Sequence, residues 1–180
     1  MAQGSWPLAV VSALAASLGL VVGCEPTNQG YAPQQPIAYS HAVHAGELQV
    51  PCMYCHYNAE RGHYAGIPPV SVCMNCHAQV IPDHPEILKI KQAIADGVPI
   101  AWKRVHKLPD HTYFNHGAHV AAKVACQTCH GEVQTMPRVA QQAPLTMGWC
   151  LDCHRSQPGG PEDHEAGGAH RLTDCVVCHH

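Results

Sequence analysis

The pentapeptide Cys-x-x-Cys-His occurs five times: CMYCH at 52–56, CMNCH at 73–77, CQTCH at 126–130, CLDCH at 150–154 and CVVCH at 175–179. A thiol pair alone fits a zinc knuckle or a redox dithiol, but neither has a use for an imidazole fixed after the second Cys. With 16 His in 180 residues, five chance placements at that position are improbable. Haem attachment needs this spacing. Two thiols a helical turn apart form thioethers to the vinyl groups of one macrocycle, and the adjacent His reaches the iron from the same side. Covalent attachment is therefore assigned to Cys52, Cys55, Cys73, Cys76, Cys126, Cys129, Cys150, Cys153, Cys175 and Cys178. Proximal iron ligation is assigned to His56, His77, His130, His154 and His179. Five haem c groups are expected. They consume ten of the 11 Cys and leave Cys24 alone, so no disulfide framework is expected, although this attachment chemistry takes place outside the cytoplasm.

Five haems present ten axial positions, and the motif His fill half of them. An internal repeat points to the others. The string YSHAVHAGELQVPCMYCH (39–56) aligns with FNHGAHVAAKVACQTCH (114–130): aromatic-x-His-x-x-His, a short spacer, then a haem motif. Residues three apart share one face of a helical turn, so His41 and His44, and likewise His116 and His119, can each reach two different irons as distal ligands. For the tenth position His106 in RVHKLPDH leads. Met147 in PLTMGWC is the alternative, with Met136 behind it, and a thioether there would raise that haem's potential above its bis-His neighbours. His63, His84, His111, His164, His170 and His180 read as solvent-facing or supporting residues. His170 and His180 flank the last motif and could ligate it if the tail folds back. Trp102 and Trp149 read as packing on the macrocycles.

The elements that must position these groups are short. There is one Phe, aromatic residues make up 6% of the chain, and Gly and Pro number 15 each, a composition of loops rather than long regular elements. Too few long apolar side chains remain for an ordinary interior, and covalent cofactors are expected to fill it. The expected fold is that of a multihaem cytochrome c: mostly irregular, with short α-helices, little or no β structure and an N-terminal transmembrane helix. The haem domain, 39–180, divides into a dihaem module at 39–82, a connecting segment at 83–112, a second dihaem module at 113–155 and a single-haem tail at 156–180. In the connecting segment PEILKIKQAIADG (85–97) has a helical period, a Pro at its start and Gly97 as its stop, with Lys89 and Lys91 on a solvated face. The Pro- and Gln-rich stretch 25–38 reads as an extended linker.

No charged residue precedes Glu25, and the apolar run 6–23 has 18 residues, at the short end for a membrane span. Three readings of 1–24 stand open. It is a retained transmembrane anchor, a signal that ends at a lipidated Cys24 in the lipobox-like LVVGC, or an ordinary cleaved signal with an incidental Cys. The first two put the haem domain on the outer face of the membrane. A net charge of −3 singles out no partner, and with no phosphate loop or basic patch no nucleic-acid partner is expected.

The segments PIAYSHAVHAGELQVPCMYCH, AGIPPVSVCMNCH, WKRVHKLPDHTYFNHGAHV, CQTCH, APLTMGWCLDCHR and LTDCVVCH resemble, over roughly 36–179, the pentahaem cytochrome c subunit of alternative complex III, a bacterial membrane quinol:electron-acceptor oxidoreductase. The modules also resemble class III multihaem cytochromes c. His106 falls in one of the resembling segments, while the uncharged N-terminus and the Gly-rich loop before the last motif depart from the pattern. The resemblance implies an N-terminal transmembrane helix and haems lined up as a wire. It also implies partners in the form of an iron–sulfur subunit, integral membrane subunits and a monohaem cytochrome c. Electrons would pass from quinol oxidised in a neighbouring subunit towards a periplasmic cytochrome or terminal oxidase. The location implied is the inner (cytoplasmic) membrane, with the haem domain on its periplasmic face. On this reading the chain is an electron-transfer subunit and not an enzyme by itself. A free-standing multihaem carrier is one rival. A multihaem reductase is the other, but it needs an open iron with acid–base groups beside it, and here every motif ends in His and spare His are plentiful.

Overall fold

The computed structural model of the protein describes residues 27–157 and 172–180. The candidate anchor 1–24 with Cys24, the start of the linker, and most of the tail with His164 and His170 lie outside the described residues. Among the described residues the regular elements are all helical. A π-helical turn (Ala42–Glu47) is followed by α1 (Cys52–Cys55), a 3-10 turn (Tyr57–Glu60), α2 (Val70–His77) and α3 (Pro85–Asp96). Then come α4 (His116–Ala121), α5 (Cys126–His130), a second 3-10 turn (Val133–Thr135), α6 (Met147–Arg155) and α7 (Cys175–Cys178). No helix among the described residues is long and apolar enough to cross a membrane.

Every haem motif lies on a helical turn, which is what a Cys-x-x-Cys pair needs to present two sulfurs to one side. The two copies of the sequence repeat match in backbone detail. In the second, α4 carries His116 and His119, and the Val124 N–H closes onto the His119 carbonyl at 3.0 Å. In the first, the Val50 N–H closes onto the His44 carbonyl at 2.8 Å, although one more residue lies between them. The π-helical turn absorbs that residue, with Leu48 N–H donating to the Val43 carbonyl at 2.9 Å. Each spacer then reverses through a left-handed residue three positions before the first Cys, Gln49 at φ 52° and Lys123 at φ 61°.

The longest helix, α3, ends where the sequence places its stop, on Gly97 in the left-handed conformation at φ 65°. Pro85 opens it, and the His84 side chain caps it by accepting the Glu86 N–H at 3.3 Å. Its buried face, Ile87 and Ile90, meets Ile37, with Val70, Met74, Ile100 and Trp102 packed around. Trp102 is thus seated against this isoleucine cluster. Lys89 is exposed and pairs with Glu86 at 2.6 Å.

The stretch read as a linker is extended, and from Thr27 onwards it is docked on the body. Gly30 N–H donates to the Gln141 carbonyl at 2.8 Å and Gln141 N–H to the Tyr31 carbonyl at 3.2 Å. Gln35 exchanges two hydrogen bonds with the Lys103 backbone, at 2.8 and 2.9 Å. Gln141, fully buried, has an Oε1 that accepts from Lys107 N–H at 2.9 Å and from Asn28 Nδ2 at 3.3 Å. Its own amide nitrogen donates to the Ala143 carbonyl at 3.0 Å. A buried amide satisfied on both ends is a strong tie, because stranding either end would cost about 1–3 kcal/mol.

Candidate haem sites

Four pairs of imidazoles face each other across similar gaps. His41 and His56 have ring centres 6.4 Å apart and planes 5° from parallel. His116 and His130 lie 6.3 Å apart at 8°. His44 and His77 are 6.0 Å apart at 66°, and His119 and His154 are 6.0 Å apart at 29°. With metal–imidazole bonds of about 2 Å, two rings on opposite faces of one iron have centres about 6 Å apart. The residues present therefore fit a haem iron between each pair. Each pair joins a motif His to one His of its own module's upstream pair. The first upstream His meets the first motif, and the second upstream His meets the second. Among the described residues no three Cys, His, Asp or Glu side chains converge on a metal-sized point; the donors come as opposed pairs.

The far nitrogen of each ring fixes its aim. Nδ1 is held by a backbone carbonyl in His44 (Ser40, 2.8 Å), His56 (Gly66, 2.8 Å), His77 (Val80, 3.0 Å) and His116 (His63, 2.7 Å). The same holds in His119 (Asn115, 2.8 Å), His154 (Leu172, 2.9 Å) and His179 (His111, 3.0 Å). Such bonds set the tautomer and leave Nε2 facing the gap. Among the eight facing rings, His41 alone keeps a buried Nδ1 without a hydrogen-bond partner. Burial, and next the neighbouring His56 and His44, lower the pKa of His41 to about 4. Burial, and next His106, lower His130 likewise to about 4. Both imidazoles are neutral at neutral pH, the form that coordinates iron.

The aromatic residue of the repeated motif has a structural role that sequence reasoning left without one. Tyr39 stacks on His44 at 4.4 Å and 23°, and meets His41 edge-on at 4.8 Å and 85°. Phe114 does the same to His119 at 4.5 Å and 30°, and to His116 at 4.8 Å and 89°. One ring thus packs on two histidines that face different motifs. Burial, followed by the nearby Cys55 and Cys73, pushes the Tyr39 phenol up to about 12, so it stays protonated. The signal was in the sequence, since an aromatic precedes both His pairs by two residues.

His179 has no ring facing it in this way among the described residues. It lines an apolar cleft together with Met147, Cys150, His154, Cys175 and Cys178. Met147, 58% exposed, therefore comes to the fifth motif. His106 lies elsewhere. Its Nε2 is 3.1 Å from His130 Nδ1, with the two rings edge to face at 4.4 Å and 87°. It occupies the place that a backbone carbonyl takes behind the other motif imidazoles. His63 and His111 contribute their carbonyls to the rings of His116 and His179, and His180 packs on Tyr113 at 4.3 Å.

No protein-family model matches the chain. The chain is similar to the multiheme cytochrome c subunit of menaquinone reductase from Nitratidesulfovibrio vulgaris. The two are 26% identical over 167 residues, which cover 81% of this chain and 77% of that one.

Proposed function

We propose that the protein is an electron-transfer subunit with five covalently bound c-type haems, serving a membrane complex that reacts with quinone. The four opposed imidazole pairs carry this reading. Bound at such sites, haem c supplies a one-electron iron centre. The ten motif Cys tether it, the motif His hold each iron from one side, and His41, His44, His116 and His119 hold four of them from the other. Met147 takes the remaining position opposite His179, and His106 serves His130 from behind. With both faces of each iron occupied by the chain's own side chains, no open position remains for a substrate, so the subunit is not an enzyme by itself.

The similarity to the menaquinone reductase subunit supports both the multihaem cytochrome and the membrane-quinone setting. The finer assignment rests on the segment resemblances. It is a pentahaem subunit of the alternative complex III type, on the periplasmic face of the cytoplasmic membrane and anchored through 1–24. Its partners are an iron–sulfur subunit, integral membrane subunits and a monohaem cytochrome c, and its electrons come from quinol. A second reading, with electrons flowing towards quinone, is favoured by the name of the similar subunit. Assay of the intact complex with quinol and with quinone separates the two directions.

The test of ligation is spectroscopic. The mature protein should gain the mass of five haems and show one sulfur-to-iron charge-transfer band in the ferric state. Met147→Leu should remove that band and convert one haem of five to high spin, while Met147→His should restore low spin at a lower potential. Fewer than five haems, or a wild-type high-spin iron that binds cyanide quickly, would overturn the assignment and return the reductase to the front.

A further inference from the structure

The two dihaem modules are joined to each other by a reciprocal exchange. The residue after the first distal His of each module donates its N–H to the carbonyl six residues beyond the first motif His of the other. Ala42 N–H donates to Met136 O at 3.0 Å, and Gly117 N–H to Gly62 O at 3.1 Å. In keeping with this, the π-helical turn packs on the 3-10 turn after the third motif, and α4 packs on the 3-10 turn after the first. Such an exchange is the signature of an approximate two-fold axis relating the modules. It brings the first motif of one module beside the first motif of the other, not the second beside the first as chain order would suggest.

We propose that the five haem sites stand in the spatial order second, first, third, fourth, fifth, with the first and third sites back to back on the two-fold axis and the second site at one end. This deepens the five-haem reading above and rests on it. The motif histidines and helices lie in the same order. Within each module one aromatic ring holds both upstream histidines, His41 and His44 on Tyr39 and His116 and His119 on Phe114, and these face the first and second motif histidines in turn. Beyond the fourth site, Cys150 and His154 line one cleft together with Cys175, Cys178, His179 and Met147. Helix α2, which carries the second motif, packs on α3, and among the described residues it has no comparable packing on α5. The second site therefore meets the rest of the row through the first.

Deletion of single sites separates this order from the order of the sequence. In Cys52→Ser/Cys55→Ser the second site loses its neighbour. Its ferric low-spin EPR signal is then expected to relax as an isolated centre. In Cys73→Ser/Cys76→Ser every remaining site keeps a neighbour, and no isolated signal is expected. The reverse pattern, isolation on losing the second site and none on losing the first, overturns the proposal. Intact mass reads the parent assignment separately, with five haems expected in the wild type and four in each variant. Five haems with the reverse EPR pattern sink the order alone, whereas fewer than five sink the five-haem reading. Should a variant not mature, a cryo-EM map of the wild-type protein decides the same point. The His56 iron lying between the irons of His77 and His130 supports the order, and the His77 iron in the middle overturns it.

Discussion

His106 shows how one side chain can set one site apart. The motif imidazoles at His56, His77, His154 and His179 are each backed by a backbone carbonyl, while His130 is backed by an imidazole nitrogen at 3.1 Å. A partner that accepts from Nδ1–H makes the coordinating nitrogen more basic and favours ferric iron. His106→Phe removes that acceptor and keeps an aromatic ring in the space. The expected result is five haems still attached and one redox transition of five raised by about 40 mV. That figure corresponds to the roughly 1 kcal/mol of a single hydrogen bond for a one-electron couple. A spectropotentiometric titration checks it, and a loss of low-spin character instead would mean that His106 coordinates an iron directly. Reading the chain as a string suggested ligation, because both roles ask for a His close to a haem. What distinguishes them is the direction of Nε2, which depends on how 103–107 crosses behind α5, and no local pattern encodes that crossing. The facing of the upstream histidines towards the motif histidines was legible, because a duplicated motif with three-residue spacing fixes both the side-chain type and the face it lies on.

At the scale of elements, the contact between modules depends on the absence of a side chain. A Cβ on Gly46, in the π-helical turn, would run into the Gln134 carbonyl of the second 3-10 turn, and a backbone oxygen cannot rotate away. Gly46→Ala is expected to push the two turns apart and cost about 1–3 kcal/mol, the range for overpacking a close contact. Gly97→Ala makes the comparison. Nothing lies within 4 Å of its added carbon, so it carries only the conformational penalty of φ 65°, about 1 kcal/mol. Thermal unfolding followed in the haem band ranks the two, and an equal or smaller loss for Gly46→Ala would remove the packing argument. Helix α3 was readable in full, since its period, Pro85 and Gly97 all agree. The docking of 27–38 was not. Asn28, Gln29 and Gln35 look like solvated linker residues until their amides are seen to pair with backbone groups some 70 to 110 positions away, such as Val105, Gln142 and Lys103. The π-helical turn hides in the same way, as one extra residue in an otherwise exact spacing.

For the molecule as a whole, the buried apolar side chains among the described residues are Ile37, Ala59, Ile87, Ile90 and Leu145. Three of them form a single cluster around α3, while α1, α5, α6 and α7 contribute no buried side chain. Local propensity cannot hold such turns. Apart from α3 with 12 residues, no helix among the described residues exceeds nine, and isolated helices shorter than about 12–15 residues are marginal in water. Nor can the opposed imidazoles hold each other, because two neutral rings about 6 Å apart gain little until a metal joins them. The haems must therefore supply both the missing core and the links between turns distant in sequence. A chain made where haem is not attached, or with all ten motif Cys changed to Ser, is expected to show little far-UV helical signal beyond that of 85–96. It should melt without a cooperative transition, whereas the mature protein unfolds cooperatively. Circular dichroism and calorimetry on the two forms make the comparison, and native helicity with a sharp transition in the haem-free chain would show that side chains alone specify the fold. The same comparison bears on the order of assembly. His44 and His77 come from different turns of one module, and the Ala42–Met136 bond joins two modules. A chain that has received haem at the first two motifs should therefore gain protection within 39–82, while the exchange between modules forms only once the third site is filled.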